Sequence, residues 1–331
     1  MSSWVTISDI GGGNPQRLPT NGTDRSWAVE TPGTLSAEVL TRTLTDAGLD
    51  RPKGRWITVE GNDVGTWAGV VQETQARADG TSELTATDWR VLLQDTRLPK
   101  RARPRFAPPG TLALLAIAAA ERNGPVWIRD RTADETGLPV QLRLDGQSLG
   151  EALASLQSAS GESYRIDPDT MAFHWGPVGI DRSGSRQLVA PRHIVDWTLP
   201  DSIAPVINDL LAFPTNEGAT LLRSFLVEDP ASIAAVGRRQ GQAALAQGTT
   251  AAALRPTAQA LVTSLAALGV TLEMQLVNVD RCFGWFREGD SIAVLLPSIN
   301  AQLTVRIMAR SIREPDWVMD ASAIVTDWRA V

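Results

Sequence analysis

Cysteine, tyrosine and histidine are nearly missing from this 331-residue chain, which has one, one and two of them. Cys282 by itself permits no intrachain disulfide and no cysteine-ligated zinc site, and His174 with His193 cannot supply three imidazoles to a metal. No metal or cofactor is therefore expected. Lysine is equally scarce, at Lys53 and Lys100 only, and with the abundant alanine this fits a G+C-rich genome rather than a mechanism. The formal net charge of −6 argues against a protein that binds nucleic acid by neutralising phosphates. Long apolar runs are missing too: "LALLAIAAA" at 112–120 is too short to cross a bilayer, and "MSSWVTISDI" has no basic stretch leading into an apolar one. Neither a signal peptide nor a membrane anchor is expected.

Catalytic motifs are absent in the same way. No G-x-S-x-G occurs. His193 in "APRHIVDW" has Asp196 three residues on, which reads either as a relay fragment or, more in keeping with a lone histidine at a strand start, as a structural pair. Glu60, Asp63, Glu73 and Asp88 sit in or near turns without a distinctive second carboxylate. The glycine-rich "DIGGGNPQR" at 9–17 lacks the ending of a P-loop and the spacing of a dinucleotide fingerprint, so it reads as a loop. The chain is not expected to be an enzyme.

What remains is an ordinary folded composition, 43% hydrophobic and 21% charged, long enough for two or three domains with real cores. Eleven tryptophans are its one excess. They offer stacking platforms for sugars or bases, or simply fill cores and interfaces, and their single scatter along the chain favours the second reading.

Periodicity divides the chain. A strand is expected near 36–42, then an antiparallel meander over 54–98 with turns at 61–65 and a hairpin at Asp79-Gly80, closing in a short helix or strand at 87–95. Residues 1–105 thus read as a β-barrel or sandwich. "PKRARPRFAPPG" at 99–110 reads as a linker, its Arg101, Arg103 and Arg105 better suited to a crossover loop than to nucleic acid. A helix at 111–122 stopped by Gly124-Pro125, a strand "VWIRD" at 126–130, and a helix at 148–160 follow. The last opens with the Ser148/Glu151 capping box, aligns Leu149, Leu153 and Leu156, and stops at Gly161. A hairpin around Pro168 completes an α+β unit over 106–190. The stretch 181–188 reads as flexible.

The third range, 191–331, returns to β-type sequence. "DPASIAAVGRRQ" at 229–240 carries explicit helix punctuation: Asp229 as cap, Pro230 in the first turn, and Ile233 with Val236 or Gly237 toward a core. Arg238 and Arg239 follow, either as cations solvating the helix end or as a contact to an acidic surface on another chain. A second helical run extends from Pro256 to Gly269. Leu272, Met274 and Leu276 then alternate with polar residues, "REGDSIAVLL" pairs with "AQLTVRIMARSI", and "SAIVTDW" forms the last strand.

Four stretches in this order resemble the baseplate-hub, or tail-hub, family of tailed bacteriophages and related contractile injection systems. They are "GTWAGVVQETQARADGTSELTATDWRVLLQD", "LDGQSLGEALASLQSASGESYRIDPDTMAFHW", "PVINDLLAF" with "DPASIAAVGRRQ", and "FREGDSIAVLL" with "LTVRIMARSI". The resemblance covers nearly the whole chain beyond the first 35 residues. It implies a mainly-β α+β fold of two tube-like barrel domains with small inserted domains. It also implies a trimer whose six barrels adapt a six-fold tail tube to a three-fold tip and let DNA pass without specific binding. The implied partners are a distal tail or tail-tube protein above, tip, spike or fibre proteins below, and a tape-measure protein in the lumen. The implied place is the virion tail, after synthesis in the bacterial host cytoplasm. On this reading the Asp229 helix packs outside a barrel with Arg238 or Arg239 near a subunit contact. A glycan-binding or glycan-cleaving tail protein and a hexameric distal tail protein are the alternatives.

Overall fold

The computed structural model describes residues 3–29, 31–61, 63–100, 105–123, 127–134, 139–142, 146–160, 162–199, 206–214, 224–245, 255, 258–259, 261–263, 266 and 270–330. Its N-terminal part runs β1 (Ser3–Ser8), β2 (Gln16–Thr20), β3 (Gly22–Ala28), β4 (Thr34–Leu40), α1 (Thr41–Asp46), β5 (Trp56–Val59), β6 (Trp67–Ala76), β7 (Thr81–Asp88) and α2 (Arg90–Asp95). Period-two alternation places Leu35, Ala37 and Val39 of β4 inward. Facing residues of β1, β2, β5, β6 and β7 join them in one core. β2, at the free end of the sheet, comes back against β4, so this half curls on itself. The β6–β7 hairpin turns where expected: Gly80 takes φ +82° and Asp79 Oδ1 accepts from the Thr81 amide at 2.9 Å.

β6 breaks the alternation, with Trp67 to Val71 buried without a gap. Trp67 and Val71 face the inner core, while Ala68 and Val70 meet Trp56, Trp89 and Met171 on the other side. That outer cover is the inserted unit, built from β8 (Arg105–Ala107), α3 (Pro109–Ala120), β9 (Arg131–Ala133), β10 (Val140–Leu142), α4 (Leu149–Ser160), β11 (Ser163–Ile166) and β12 (Phe173–Gly176). α3 and α4 pack over the β11-β12-β9 sheet around Leu112, Leu153 and Trp175. The capping box forms in both directions: Ser148 N donates to Glu151 Oε2 at 2.7 Å and Glu151 N to Ser148 Oγ at 3.1 Å.

Two local expectations change here. The strand assigned to 126–130 lies instead at 131–133, because Arg131 to Ala133 pair in parallel with β12 while Trp127 turns edge-on to Trp56 at 5.4 Å. The linker ends early, since β8 and the start of α3 occupy 105–110. Arg101, Arg103, Val126, Gly124, Pro125 and Gly161 lie outside the described residues.

The remaining elements are β13 (Gln187–Val189), β14 (Ile194–Thr198), β15 (Asp209–Pro214), β16 (Phe225–Glu228), α5 (Pro230–Val236), β17 (Gln240–Leu245), β18 (Thr271–Val277), β19 (Ser291–Leu296), β20 (Ala301–Arg313) and β21 (Val318–Ala330). Six of these strands join the N-terminal seven in one sheet of thirteen, ordered β14-β18-β21-β20-β3-β4-β7-β6-β5-β1-β2, with β19 and β13 attached beside β20. β20 is the seam. One edge pairs with β21 along its length, and the other pairs first with β19 and then, from Ala309 to Arg313, with β3. A second core, around Leu272, Phe283, Val294 and Ile307, fills the C-terminal half, and Trp27 packs against both cores.

Residues 181–188, expected to be flexible, are tied down. Arg182 Nε reaches Asp290 Oδ2 at 2.8 Å, Asp181 accepts from Ser183, and β13 pairs in parallel with β19. α5 is tied to a small unit in which β16-β15-β17 packs against helical residues including Ala258 and Val262: Ser232 Oγ accepts from Asn208 Nδ2 at 3.3 Å and donates to the Ala266 carbonyl at 3.1 Å. Described positions from 255 to 266 are helical; Pro256 and Gly269 fall outside the described residues. The last strand starts at Val318, four residues before the expected one.

Candidate functional site

The arginines singled out in the sequence sit where α5 turns into β17. Asp229 caps α5, its Oδ1 accepting from Ser232 N at 2.9 Å, and Pro230 opens the first turn. Gly237 ends the helix with φ +80°, a conformation L side chains rarely adopt. Asn208, fully buried, clamps the corner: Nδ2 donates to the Gly237 carbonyl at 2.8 Å and Oδ1 accepts from Arg239 N at 2.7 Å.

The two guanidinium groups then diverge. Arg238 Nη1 binds Asp209 Oδ2 at 2.8 Å and Glu228 Oε1 at 2.6 Å, within its own chain. Asp209, whose side chain is inaccessible, also accepts from Gln240 at 2.9 Å. The bond from Gln240, then that from Arg238, holds its carboxyl below the usual aspartate range. Arg239 is exposed and makes no side-chain ion pair among the described residues. The side chain of Ile233 is half-buried, while that of Val236 is outside the described set.

A second cluster, which sequence reasoning missed, locks the seam. Arg25 on β3 is fully buried and pairs with Glu314 just beyond β20; Thr23 Oγ1 donates to the same carboxylate at 3.0 Å. Arg310 pairs with Glu288 and lies over the Trp27 ring at 4.6 Å. The available signal was an arginine at an inward position of β3, which requires a carboxylate from somewhere else in the chain.

The remaining candidates are structural partners. His193 accepts from Val189 N at 3.1 Å and faces Asp280, not Asp196, whose Oδ1 takes its neighbour's Trp197 amide. Asp88 receives Gly33 N and Arg90, Asp63 receives Asn278, and Glu60 and Glu73 are exposed. The glycine loop lies on Trp127 and Trp56. Burial pushes the Cys282 thiol up to about 11, far from a reactive thiolate. Among the described residues no group of three metal-ligating side chains forms, and no helix is long and apolar enough to cross a membrane.

No protein-family model and no curated protein matches the chain. Solved structures match it along its length. A tail protein from Neisseria meningitidis MC58 superposes with a TM-score of 0.70 at 16% identity, covering 99% of this chain and 97% of that one. A 43 kDa prophage tail protein from Shewanella oneidensis gives 0.71 at 12%, covering 98% of each. A prophage tail protein from Listeria monocytogenes EGD-e gives 0.63 at 11%, covering 98% and 94%. The chain therefore has the fold of these phage tail proteins, and the mainly-β α+β class expected from the sequence is the one observed.

Proposed function

We propose that this protein is a structural hub of a phage or phage-like tail tip, with no catalytic role. Its copies form a trimeric ring that adapts a six-fold tail tube to a three-fold tip and lets DNA pass. The observation carrying the proposal is the seam: one chain holds two β-rich cores on a single sheet, joined where β20 passes from β19 to β3. Two β units per chain, repeated three times, would offer the six positions that a six-fold partner needs. Full-length superposition on solved tail proteins supports the same reading. The domains are proposed at 1–105, 106–190 and 191–331, as two barrel units with the α+β unit inserted between them. A distal tail or tube protein sits above, tip, spike or fibre proteins below, and a tape-measure protein in the lumen. The place of action is the virion tail, after synthesis in the bacterial cytoplasm. An acidic chain suits a lumen through which DNA must slide without sticking.

Arg239 is proposed as a subunit contact, since it is exposed and its side chain makes no ion pair among the described residues; Arg238 serves the small unit's own packing. The test is mass in solution by light scattering with negative-stain imaging. A trimeric ring, weakened by Arg239→Glu with an unchanged unfolding midpoint, is expected. A hexameric ring would instead favour a distal tail protein, and a monomer that binds glycans would favour a receptor-binding module. An assembly indifferent to Arg239→Glu removes the contact.

A further inference from the structure

A cleft of about 370 Å³ opens where the N-terminal sheet, the inserted hairpin and the C-terminal half meet. Its volume lies in the range of sites that hold a small ligand. Three ion pairs line it. Arg90 grips Asp88 through Nη2 at 2.6 Å and Nε at 3.0 Å, Arg182 holds Asp290 at 2.8 Å, and Arg310 pairs with Glu288. The lining carries as many arginines as carboxylates, so its formal charges sum to zero. What it presents instead is a set of fixed donors and acceptors, because each guanidinium has five N–H groups and its carboxylate uses only some of them.

Two aromatic residues complete the arrangement. Tyr164 is held by stacking on Phe173 at 5.4 Å and Trp175 at 6.2 Å, and its hydroxyl has no hydrogen-bond partner among the described residues. Burial pushes its pKa up to about 12, so it stays a neutral donor and acceptor at any working pH. Trp27 also lines the cleft, half-buried beneath the Arg310 guanidinium.

We propose that this cleft binds a neutral saccharide of about one or two pyranose rings, its hydroxyls meeting the Arg90–Asp88 and Arg182–Asp290 pairs and the Tyr164 hydroxyl. A dense set of neutral hydroxyls is the ligand chemistry that matches paired donors and acceptors without net charge, whereas an anionic ligand would leave a carboxylate facing it at each pair. The site does not depend on the ring assembly, so its failure and that of the hub reading are separable.

The test is saturation-transfer NMR on the full chain with N-acetylglucosamine, galactose and maltose as probes at millimolar concentration. Transfer to ring protons of at least one sugar, insensitive to 50 versus 300 mM salt, is expected. Tyr164→Phe keeps the stacked ring and removes only the hydroxyl, and it should weaken binding by about fivefold with an unchanged unfolding midpoint. Three results would overturn the proposal: no transfer from any of the three sugars, binding that disappears at high salt, or binding unaffected by Tyr164→Phe.

Discussion

Glu314→Gln tests whether the seam between the two halves of the large sheet is dry. The Arg25 side chain is 0% exposed and that of Glu314 4%, and Arg25 Nε and Nη1 have no hydrogen-bond partner among the described residues. Burial, the largest influence, pulls the Arg25 pKa down, and the Glu314 charge opposes it. Glutamine preserves size and can still accept from Thr23, but it removes the countercharge from a guanidinium that cannot shed its proton. Leaving one member of a buried pair uncompensated costs about 3–5 kcal/mol, a large part of the roughly 5–15 kcal/mol that keeps a domain folded. Adding Arg25→Met removes the stranded charge and fills its space with a flexible apolar chain, so the double variant should be more stable than Glu314→Gln alone by about 2 kcal/mol. Urea unfolding at pH 7, followed by tryptophan fluorescence, reads both differences. A loss below about 1 kcal/mol for Glu314→Gln would mean that water reaches the seam. A double variant no better than the single one would mean that the loss is packing, not charge.

Gly179→Ala should be among the most damaging single changes: φ is +102° and an added Cβ would lie 1.9 Å from the Gly289 carbonyl oxygen, so a loss of about 4 kcal/mol or insoluble expression is expected, and a wild-type urea midpoint would refute it. Asp209 has a folded pKa below its unfolded one. Its stabilisation is therefore complete above about pH 4 and lost as pH falls through the folded value, so Asp209→Asn should be weaker than wild type at pH 7 with a gap that closes in an acid titration. Asp229→Ala removes the α5 cap and should cost about 1 kcal/mol, seen as faster amide exchange in Ser232 and Ile233 while β20 keeps its protection.

Local chemistry was legible wherever its partners lie a few residues apart. The Ser148/Glu151 box, the Asp79-Gly80 turn and the Asp229-Pro230 helix start are all closed by neighbours along the chain. The displaced strand at 131–133 was not legible, because only its pairing with β12 singles it out. The stretch 181–188 misled for a similar reason. Its serines and glycine describe a turn, while the Arg182–Asp290 bond that fixes it spans 108 residues. In the candidate site, Arg238 and Arg239 are equivalent as sequence, and only the approach of β15 and β16 separates the paired arginine from one without an ion pair among the described residues.

By itself the sequence determined an ordinary globular composition, a chain with one cysteine and so no intrachain disulfide, the mainly-β α+β character and the helix starts at Ser148 and Asp229. These follow from residue counts, period-two and helical patterning, and turn chemistry, all of which act over short separations. The tertiary structure alone decided that the two β regions share one sheet through β20, that an inward arginine at position 25 finds its carboxylate 289 residues away, and that β15, β16 and β17 form a sheet of their own. Alternation along a strand specifies which face is buried but not which strand lies beside it. Pairing across hundreds of residues is selected by the combined burial and hydrogen bonding of the whole sheet.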